Sequence, residues 1–415
     1  MPGQRNNAKR IVYADNNATT QVAPEVYHAM IPFFTEDYFN PSSMYEPAQA
    51  TKTMLDRSRR DIARHLGARE PQEILFTSGA TESNNTAIRG VAKANPNRRH
   101  IITTAVEHPA VWEVCKNLER EGYSVVYLPV DPDGNLDIGD FVRALRSDTL
   151  LVTVMHANNE TGVIFPIAEL ARIVKETDPN IIFHTDATQS VGKMEIDLSG
   201  EYRHVDLLSF SGHKLHAPKG IGALYARRGT RYRPLIIGGH QENGRRAGTE
   251  NVPYIAGLAK ALDLAMDNVD DEQTRVRKLR DRLETELLAQ ITQTRINGAG
   301  APRLPNTSNI SCHYVEGEGM LFQLSESGIC ASSGSACTSG SLEPSHVLKA
   351  LKIPFTAIHG SVRFSLSRYN NDEDIDHIVS VFPEIVASLR RLSPYWDTKT
   401  NTPRPDAEKT LFANG

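Results

Sequence analysis

Residues Leu207–Tyr225 read LLSFSGHKLHAPKGIGALY, and this stretch holds two strand patterns separated by a polar turn. The apolar run Leu207–Phe210 predicts the end of a buried strand, and a second apolar run follows from Ile221 to Tyr225. Lys214 lies between them, beside a glycine and a histidine. A lysine in this position is partly desolvated, which favours the uncharged amine that serves as a nucleophile or Schiff-base former. The alternative is a loop lysine whose ammonium simply extends into water.

Short apolar or β-branched runs recur before this stretch, and helical patterns separate several of them. Strands that read as continuous apolar runs and alternate with helices predict a mostly parallel sheet covered on both faces. We therefore expect an α/β fold, with residues 20–265 as one large domain. The runs are Ile74–Thr77, His100–Ala105, Ser124–Val130, Leu150–His156 and Ile181–Thr185, and the helical patterns include Ala110–Glu121, Ile138–Leu145 and Ile167–Glu176.

The sequence changes character after the large domain. Asp271–Ile291 predicts a long charged helix with an apolar stripe, and Ser361–Leu366 predicts a strand. This α+β pattern predicts a smaller second domain made of residues 1–19 and 266–392. The polar tail, residues 393–415, has little to bury, and its composition is compatible with disorder.

The composition excludes several classes of protein. The chain has 415 residues, of which 40% are hydrophobic and 23% charged, as in ordinary globular proteins. A formal net charge of -4 gives no support for nucleic acid or a membrane as partner. No apolar run approaches the roughly 20 residues of a membrane span, and the N-terminus lacks the apolar segment of a secretory signal. Four cysteines without a CxxC pair favour a reducing, cytoplasmic setting.

Polar clusters follow the predicted strands, at the edge of an α/β sheet where ligands bind. The segment 76–85, FTSGATESNN, opens a helix, and its free backbone N–H groups suit a phosphate. His108, Asn158 and Asp186 also follow strand patterns. The alternative for the segment 76–85 is an ordinary turn that caps the following helix. For His108 the alternative is a structural role, which is the more common one for a single histidine. Several such clusters at successive strand ends favour a ligand site.

A Gly/Ser-rich stretch, residues 331–341, carries Cys337 in its middle. A cysteine in such a composition is expected to be exposed and available as a nucleophile, whereas Cys115 lies in a helical pattern typical of core packing. Arg363, in a strand-like run, is a candidate clamp for a carboxylate. The glycine-rich segment 238–251 is either a surface loop or a loop that reaches into a neighbouring subunit.

Five segments of the chain resemble the cysteine desulfurases, pyridoxal-phosphate enzymes of the class V aminotransferase group with the aspartate aminotransferase-like fold (fold type I). The resemblance runs from about Tyr13 to Tyr369. Together with the later GSVRFSLSRYN, the last segment looks most like the NifS type associated with nitrogenase clusters, and the housekeeping IscS type is close. The segments are YADNNATT, FTSGATESNN, SFSGHKLHAPKGIGALY, GGHQE with RRAGTEN, and SSGSACTSGSLEPSHVL.

The resemblance implies a chemical role for five residues. Lys214 would hold pyridoxal 5'-phosphate covalently. Asp186 would face the pyridine nitrogen, and Gln189 would contact the ring oxygen. His108 would stack on the ring and move protons. Cys337 would accept the sulfur as a persulfide and serve as a transient ligand of an iron–sulfur cluster.

The resemblance also implies which residues hold the cofactor phosphate and the substrate carboxylate. The phosphate group would contact Ala80, Thr81, Ser211 and His213, with Thr249 contributed by the partner subunit of a homodimer. The substrate carboxylate would contact Asn158, which also borders the cofactor, and Arg363.

The implied reaction converts L-cysteine into L-alanine and passes sulfur to an acceptor or iron–sulfur scaffold protein, with nitrogenase as one destination. Two rivals use the same scaffold: an aminotransferase and a selenocysteine lyase. A rival from another class is a sulfur or iron–sulfur carrier without catalysis, which would lack a chromophore.

Overall fold

The computed structural model of the chain describes residues 10–333 and 344–405. The strands are β1 (Val12–Tyr13), β2 (Ile74–Thr77), β3 (His100–Thr104), β4 (Ser124–Leu128), β5 (Thr149–Thr153), β6 (Ile182–Asp186), β7 (Leu207–Ser211), β8 (Gly222–Ala226), β9 (Thr294–Ile296), β10 (Thr307–Cys312), β11 (Ile329–Cys330), β12 (Ser361–Ser365), β13 (Trp396–Asp397) and β14 (Thr402–Pro403).

Helices cover much of the rest. They are α1 (Pro24–Met30), α2 (Pro32–Thr35), α3 (Glu46–His65), α4 (Ala80–Ala94), α5 (Pro109–Arg120), α6 (Ile138–Ala144), α7 (Ile167–Thr177), α8 (Val252–Asp267), α9 (Val269–Asp271), α10 (Arg277–Gln290), α11 (Gly317–Glu326), α12 (His346–Ala350), α13 (Phe355–Ile358) and α14 (Asp372–Leu392). A π-helical turn, Glu272–Val276, joins α9 to α10. Within the described ranges, no helix combines the length and the apolar character needed to cross a membrane.

The chain divides into two compact units. The large unit comprises Thr19–Asn159 and Val163–Asp270. The small unit comprises the residues up to Ala18, the short segment Glu160–Gly162 and the residues from Asp271 onward.

The large unit is built on a seven-stranded sheet in the order β2-β8-β7-β6-β5-β3-β4. Strand β8 runs antiparallel to β2 and β7, and the other neighbours are parallel, so the prediction of a mostly parallel sheet is confirmed. β8 reverses because residues 212–221 form a connection too short for a parallel crossover, which takes a dozen or more residues.

Burial explains why these strands read as unbroken apolar runs. Every residue of β2, β3, β5, β7 and β8 is buried, whereas β4 at the edge of the sheet is mostly half-exposed. Apolar side chains of α4 and α5, such as Ile88 and Val111, pack with strand residues in one core. Helices on the sheet therefore remove the alternation that a one-sided sheet would show.

Six strands of this sheet point in one direction, namely β2, β3, β4, β5, β6 and β7. Their carboxyl ends therefore lie along one edge. The polar clusters predicted after the strands are brought together at this edge, as expected for an open α/β sheet.

The small unit packs helices on a three-stranded antiparallel sheet of β12, β10 and β9. The apolar stripe predicted for Asp271–Ile291 is confirmed, since Val276, Leu283 and Leu287 are fully buried in its core. Asn371 and Asp374 form a capping box at the start of α14, which satisfies backbone N–H groups of its first turn.

The prediction of a disordered tail is wrong for residues 393–405. Strands β13 and β14 pair as an antiparallel hairpin. Trp396 is 2% exposed, its ring lies 6.0 Å from that of Tyr314, and the guanidinium of Arg390 lies 4.3 Å from its centre. The prediction was based on the average composition of the tail, which does not reflect a single large side chain such as Trp396. The burial of this side chain and its cation–π contact stabilise the hairpin. Residues 406–415 lie outside the described residues.

Candidate active site

Lys214 lies at the end of a 3₁₀ turn, Gly212–Lys214, that follows β7 directly. Its side chain is half-buried, between the two buried strands that the sequence predicted. The turn is held by the N-terminal segment of the large unit, because the backbone N–H and the hydroxyl of Thr20 both donate to the carbonyl of His213. These contacts bring together two segments that lie far apart in the sequence.

His213, next to the lysine, is a neutral ring at neutral pH. Burial, together with the positive charges of Lys214 and Lys219, lowers the pKa of His213 to about 4. Its Nδ1 lies 3.1 Å from the hydroxyl of Thr19. His213 therefore acts through a hydrogen bond and carries no charge of its own.

The turn before α4 is shaped by two glycines. Gly79 has φ +151°, which L residues rarely adopt, and a Cβ there would lie 3.5 Å from the hydroxyl of Ser211. A Cβ on Gly222 of β8 would lie 2.7 Å from the Cα of Gly79. The turn can lie against β8 because Gly222 lacks a side chain, and Gly79 supplies the backbone conformation that the turn needs. The first-turn N–H groups of Ala80 and Thr81 are then available to an anion.

Glu82, also in the first turn of α4, is neutralised by the loop at residues 238–251. Arg246 donates two hydrogen bonds to its carboxylate, at 2.9 and 3.2 Å. The backbone N–H of Ser78 donates a third at 2.8 Å. The acid next to the anion-binding turn is thus paired and does not repel a phosphate.

Asp186 ends β6 and accepts two hydrogen bonds on its carboxylate. Asn84 Nδ2 donates to Oδ2 at 2.7 Å, and the backbone N–H of Thr188 donates to Oδ1 at 3.0 Å. Two donors suit an ionised carboxylate, which is the group needed to face a protonated ring nitrogen.

His108 caps the N-terminus of α5. Its Nδ1 accepts a hydrogen bond of 3.1 Å from the backbone N–H of Ala110. The neutral ring therefore carries its proton on Nε2. The side chain is exposed, directly after the carboxyl end of β3.

The amides of Gln189 and Asn158 are buried at the same edge. Lys193 Nζ lies 3.4 Å from Gln189 Oε1 and 2.9 Å from the carbonyl of the same residue. Asn158 Nδ2 donates to the carbonyl of Val106 at 3.1 Å. Both side chains are held in one orientation before any ligand binds.

The chemistry of these groups fits pyridoxal 5'-phosphate. Helix N–H groups, a hydroxyl and a neutral imidazole suit its phosphate, a paired carboxylate suits its ring nitrogen, and a half-buried lysine suits its aldehyde. The close approach of Gly79 to Gly222, which a Cβ on Gly222 would prevent, is the local feature that places the turn before α4 beside Ser211.

The chain is similar to known proteins over most of its length. Residues 12–378 match the family described as aminotransferase class-V. The chain belongs to this family. The cysteine desulfurase of Trichormus azollae is 54% identical over 385 residues, 93% of this chain and 95% of the relative. Cysteine desulfurase NifS of Azotobacter vinelandii shows the same identity and coverage. A solved structure described as a NifS-like protein has a TM-score of 0.86 at 38% identity and covers 92% of this chain and 100% of its own.

In this class-V chain, Arg363 belongs to the small unit. It lies in β12 with its side chain 2% exposed, and its guanidinium donates to Asp15 Oδ1 at 2.7 Å. Its backbone N–H donates to the carbonyl of Ser332 at 2.6 Å. A buried guanidinium needs such a counter-charge, because an unpaired buried ion is costly.

Thr249 and Cys337 are the two remaining predicted site residues of this class-V chain. Thr249 is exposed on the loop at residues 238–251. Cys337 lies outside the described residues, so its predicted roles stay predictions. Of the other cysteines, Cys115 and Cys312 are buried and Cys330 is half-exposed. In residues 10–333 and 344–405, no group of three or more His, Cys, Asp or Glu side chains could hold a metal ion.

Asn84 is a site residue that sequence analysis did not single out. It is fully buried on α4 and contacts Asp186. The sequence did indicate that Asn84 is buried, because it lies four residues after Ala80 and four before Ile88, on the apolar stripe of the helix. A polar residue on such a stripe usually has a buried partner.

Proposed function

We propose that the chain is a cysteine desulfurase that converts L-cysteine into L-alanine and leaves the sulfur as a persulfide on Cys337. The observation that carries the proposal is the placement of Lys214 beside an anion-binding turn and one strand away from Asp186. Curated relatives named cysteine desulfurase, 54% identical over nearly the whole chain, support the choice of substrate.

We infer that Lys214 carries pyridoxal 5'-phosphate, with the phosphate on the N–H groups of Ala80 and Thr81 and on Ser211 and His213. When bound, this cofactor supplies an electron sink that weakens the bonds around the amine-bearing carbon of the substrate. Asp186 keeps the ring nitrogen protonated, which that role requires.

The remaining residues of the large unit hold the ring oxygen and move protons. The amide of Gln189 contacts the ring oxygen. The amine of Lys214, once freed by the substrate amine, takes a proton from the substrate and returns it. His108 presents its Nε2–H as a second proton donor, and proton transfer by a positioned group contributes roughly 10²–10⁴-fold.

The sulfur step is assigned to Cys337. The thiolate attacks the substrate sulfur, an S–S bond forms, and the substrate C–S bond breaks. The electron pair of that bond stays on carbon, which takes up a proton and leaves as part of L-alanine. A thiolate is the form of cysteine that attacks sulfur.

An assay of the products tests this function. The protein with pyridoxal phosphate, L-cysteine and a dithiol reductant is expected to release L-alanine and sulfide in equal amounts. An aminotransferase would instead form 3-mercaptopyruvate, in proportion to an added oxo-acid acceptor. Mercaptopyruvate without alanine would rule out the proposed reaction, and a carrier would form neither product.

Asn158 and Arg363 are assigned to the substrate carboxylate, and Arg363→Lys tests the second assignment. Lysine retains the charge that pairs with Asp15 but loses the planar edge that binds a carboxylate through two N–H groups. We expect the KM for L-cysteine to rise about 10–100-fold, the loss of a charge-assisted hydrogen bond, with cofactor absorbance per chain unchanged. Arg368→Lys, on the half-exposed neighbour of this strand, is the matched control. An unchanged KM would remove Arg363 from carboxylate binding.

We further propose that the enzyme is a homodimer and that Thr249 contacts the cofactor phosphate of the partner subunit. Large apolar side chains are exposed in the large unit, including Tyr38 at 65%, Met44 at 95% and Ile237 at 88%. Exposed apolar groups of this number are typical of protein interfaces. Sedimentation at the mass of a single chain would contradict the dimer.

The sulfur on Cys337 is proposed to pass to an acceptor or scaffold protein that assembles iron–sulfur clusters in the cytoplasm. The likeness to the NifS of Azotobacter vinelandii supports nitrogenase as one destination. Transfer of labelled sulfur from the loaded enzyme to a scaffold protein, followed by cluster absorbance, is the corresponding measurement.

A further inference from the structure

Glu107 is a buried acid at the edge of the sheet that the proposed reaction does not use. It lies in the turn between β3 and α5, immediately before His108, and its side chain is fully buried. Its Oε1 accepts hydrogen bonds from the hydroxyl of Thr104 at 2.8 Å and from the backbone N–H of Met155 at 2.9 Å. It therefore joins the end of β3 to the loop that follows β5.

The loop after β5 forms hydrogen bonds with the turn that follows β3 and with the end of β6. Val106, beside Glu107, accepts a second hydrogen bond from this loop through Asn158 Nδ2 at 3.1 Å. The backbone N–H of His156, the residue after Met155, donates to the carbonyl of Asp186 at 2.8 Å. Consecutive N–H groups thus connect the turn that carries His108 with the strand that ends at Asp186.

The charge state of Glu107 follows from its surroundings. Burial raises the pKa of Glu107 from an ordinary value of 4.5 to about 8, and the charge of Asp186 acts in the same direction. The second titratable group that faces it is Cys115 of α5, whose pKa burial also raises, so the thiol stays neutral. Thr104 and Met155 donate to this buried carboxyl as neutral groups, and burial with neutral donors favours the uncharged acid.

We propose that Glu107 is a positioning residue that works as a neutral acid, fixing the turn that carries His108 while leaving Asp186 as the anion of the site. The charge of Asp186 disfavours a second carboxylate charge at this position. The inference rests on the proposed function, because His108 and Asp186 have these roles only if the cofactor binds.

Thermal unfolding of the cofactor-free protein from pH 5 to 9 tests the charge state. Between about 4.5 and about 8 the folded protein holds a proton on Glu107 that the unfolded chain has lost. The wild type therefore loses stability as the pH rises through this window, and Glu107→Gln, which does not titrate, escapes the loss. We expect the Tm of Glu107→Gln relative to wild type to rise by several degrees from pH 5 to pH 8. A difference that is flat across this range would overturn the neutral acid.

Glu113→Gln is the matched control, because Glu113 is exposed on the same helix, α5, and its Tm difference is expected to be flat. The measurement needs neither cofactor nor turnover. If the chain proved not to be a cysteine desulfurase, the Tm series would still give the same result. A failure of the neutral-acid proposal can therefore be distinguished from a failure of the proposed function.

The positioning role is tested on the loaded enzyme with two replacements. Glu107→Gln keeps an oxygen that accepts both hydrogen bonds, so turnover at pH 7 is expected within about threefold of wild type. Glu107→Leu leaves two buried donors unpaired, and we expect cofactor affinity and turnover to fall at least about tenfold. If Glu107→Gln loses as much as Glu107→Leu, or if Glu107→Leu loses nothing, the positioning role is wrong. Should Glu107→Leu fail to fold, the Tm series and Glu107→Gln still decide.

Discussion

Lys214→Ala is expected to bind pyridoxal phosphate without the absorption band at the edge of the visible range and to lower turnover at least about 10³-fold. The lysine is proposed both to hold the cofactor and to move the substrate proton, so one replacement removes two contributions. Its half-buried place after β7 leaves space that water fills, but no other amine of the 3₁₀ turn can take over. The measurement is an absorption spectrum of the reconstituted protein, before and after borohydride, beside the sulfide assay.

Lys219→Ala is the control for this replacement, since Lys219 is an exposed lysine five residues further along the chain. It is expected to keep the band and its sensitivity to borohydride. A wild-type protein that stays colourless with added pyridoxal phosphate would contradict the cofactor assignment and favour a carrier without a chromophore. A Lys214→Ala protein with the band intact would move the attachment to another residue.

Cys337→Ala is expected to keep the cofactor band and lose at least about 10²-fold of sulfide release from L-cysteine. The groups proposed to hold the cofactor lie in the large unit and do not include this thiol. We therefore expect the replacement to lower sulfur transfer and to leave the absorption spectrum unchanged. Mass spectrometry of the wild type after a brief exposure to L-cysteine should show one added sulfur on the peptide that contains Cys337. The same peptide of the variant should show none.

Cys330→Ala is the matched control, because Cys330 is half-exposed and precedes the same Gly/Ser-rich stretch. It is expected to release sulfide as the wild type does. Full sulfur release by Cys337→Ala would contradict the sulfur step proposed for this residue. It would also reopen the selenocysteine lyase, which needs no such thiol.

Local sequence predicted the elements that depend on near neighbours. The apolar runs around Lys214 became β7 and β8, and Ile74–Thr77 became β2 with the same bounds. The stripe on α10 and the turn before α4 were also readable, because helical period and turn chemistry are set within a few residues. The motifs that led to the family are likewise short segments, and they include Lys214 and the turn at Gly79.

Tertiary structure decided what depends on residues far apart in the chain. Asp15 pairs with Arg363 across 348 positions, and Asn84 contacts Asp186 across 102. The burial of Trp396 likewise carries no periodic signal in the sequence. From the sequence alone, Glu107 would be taken for an ordinary charged residue. Its burial, together with the charge of Asp186, raises the pKa of its carboxyl and favours the neutral acid. The physical reason is that pairing, desolvation and pKa are properties of the packed environment, which distant segments create together.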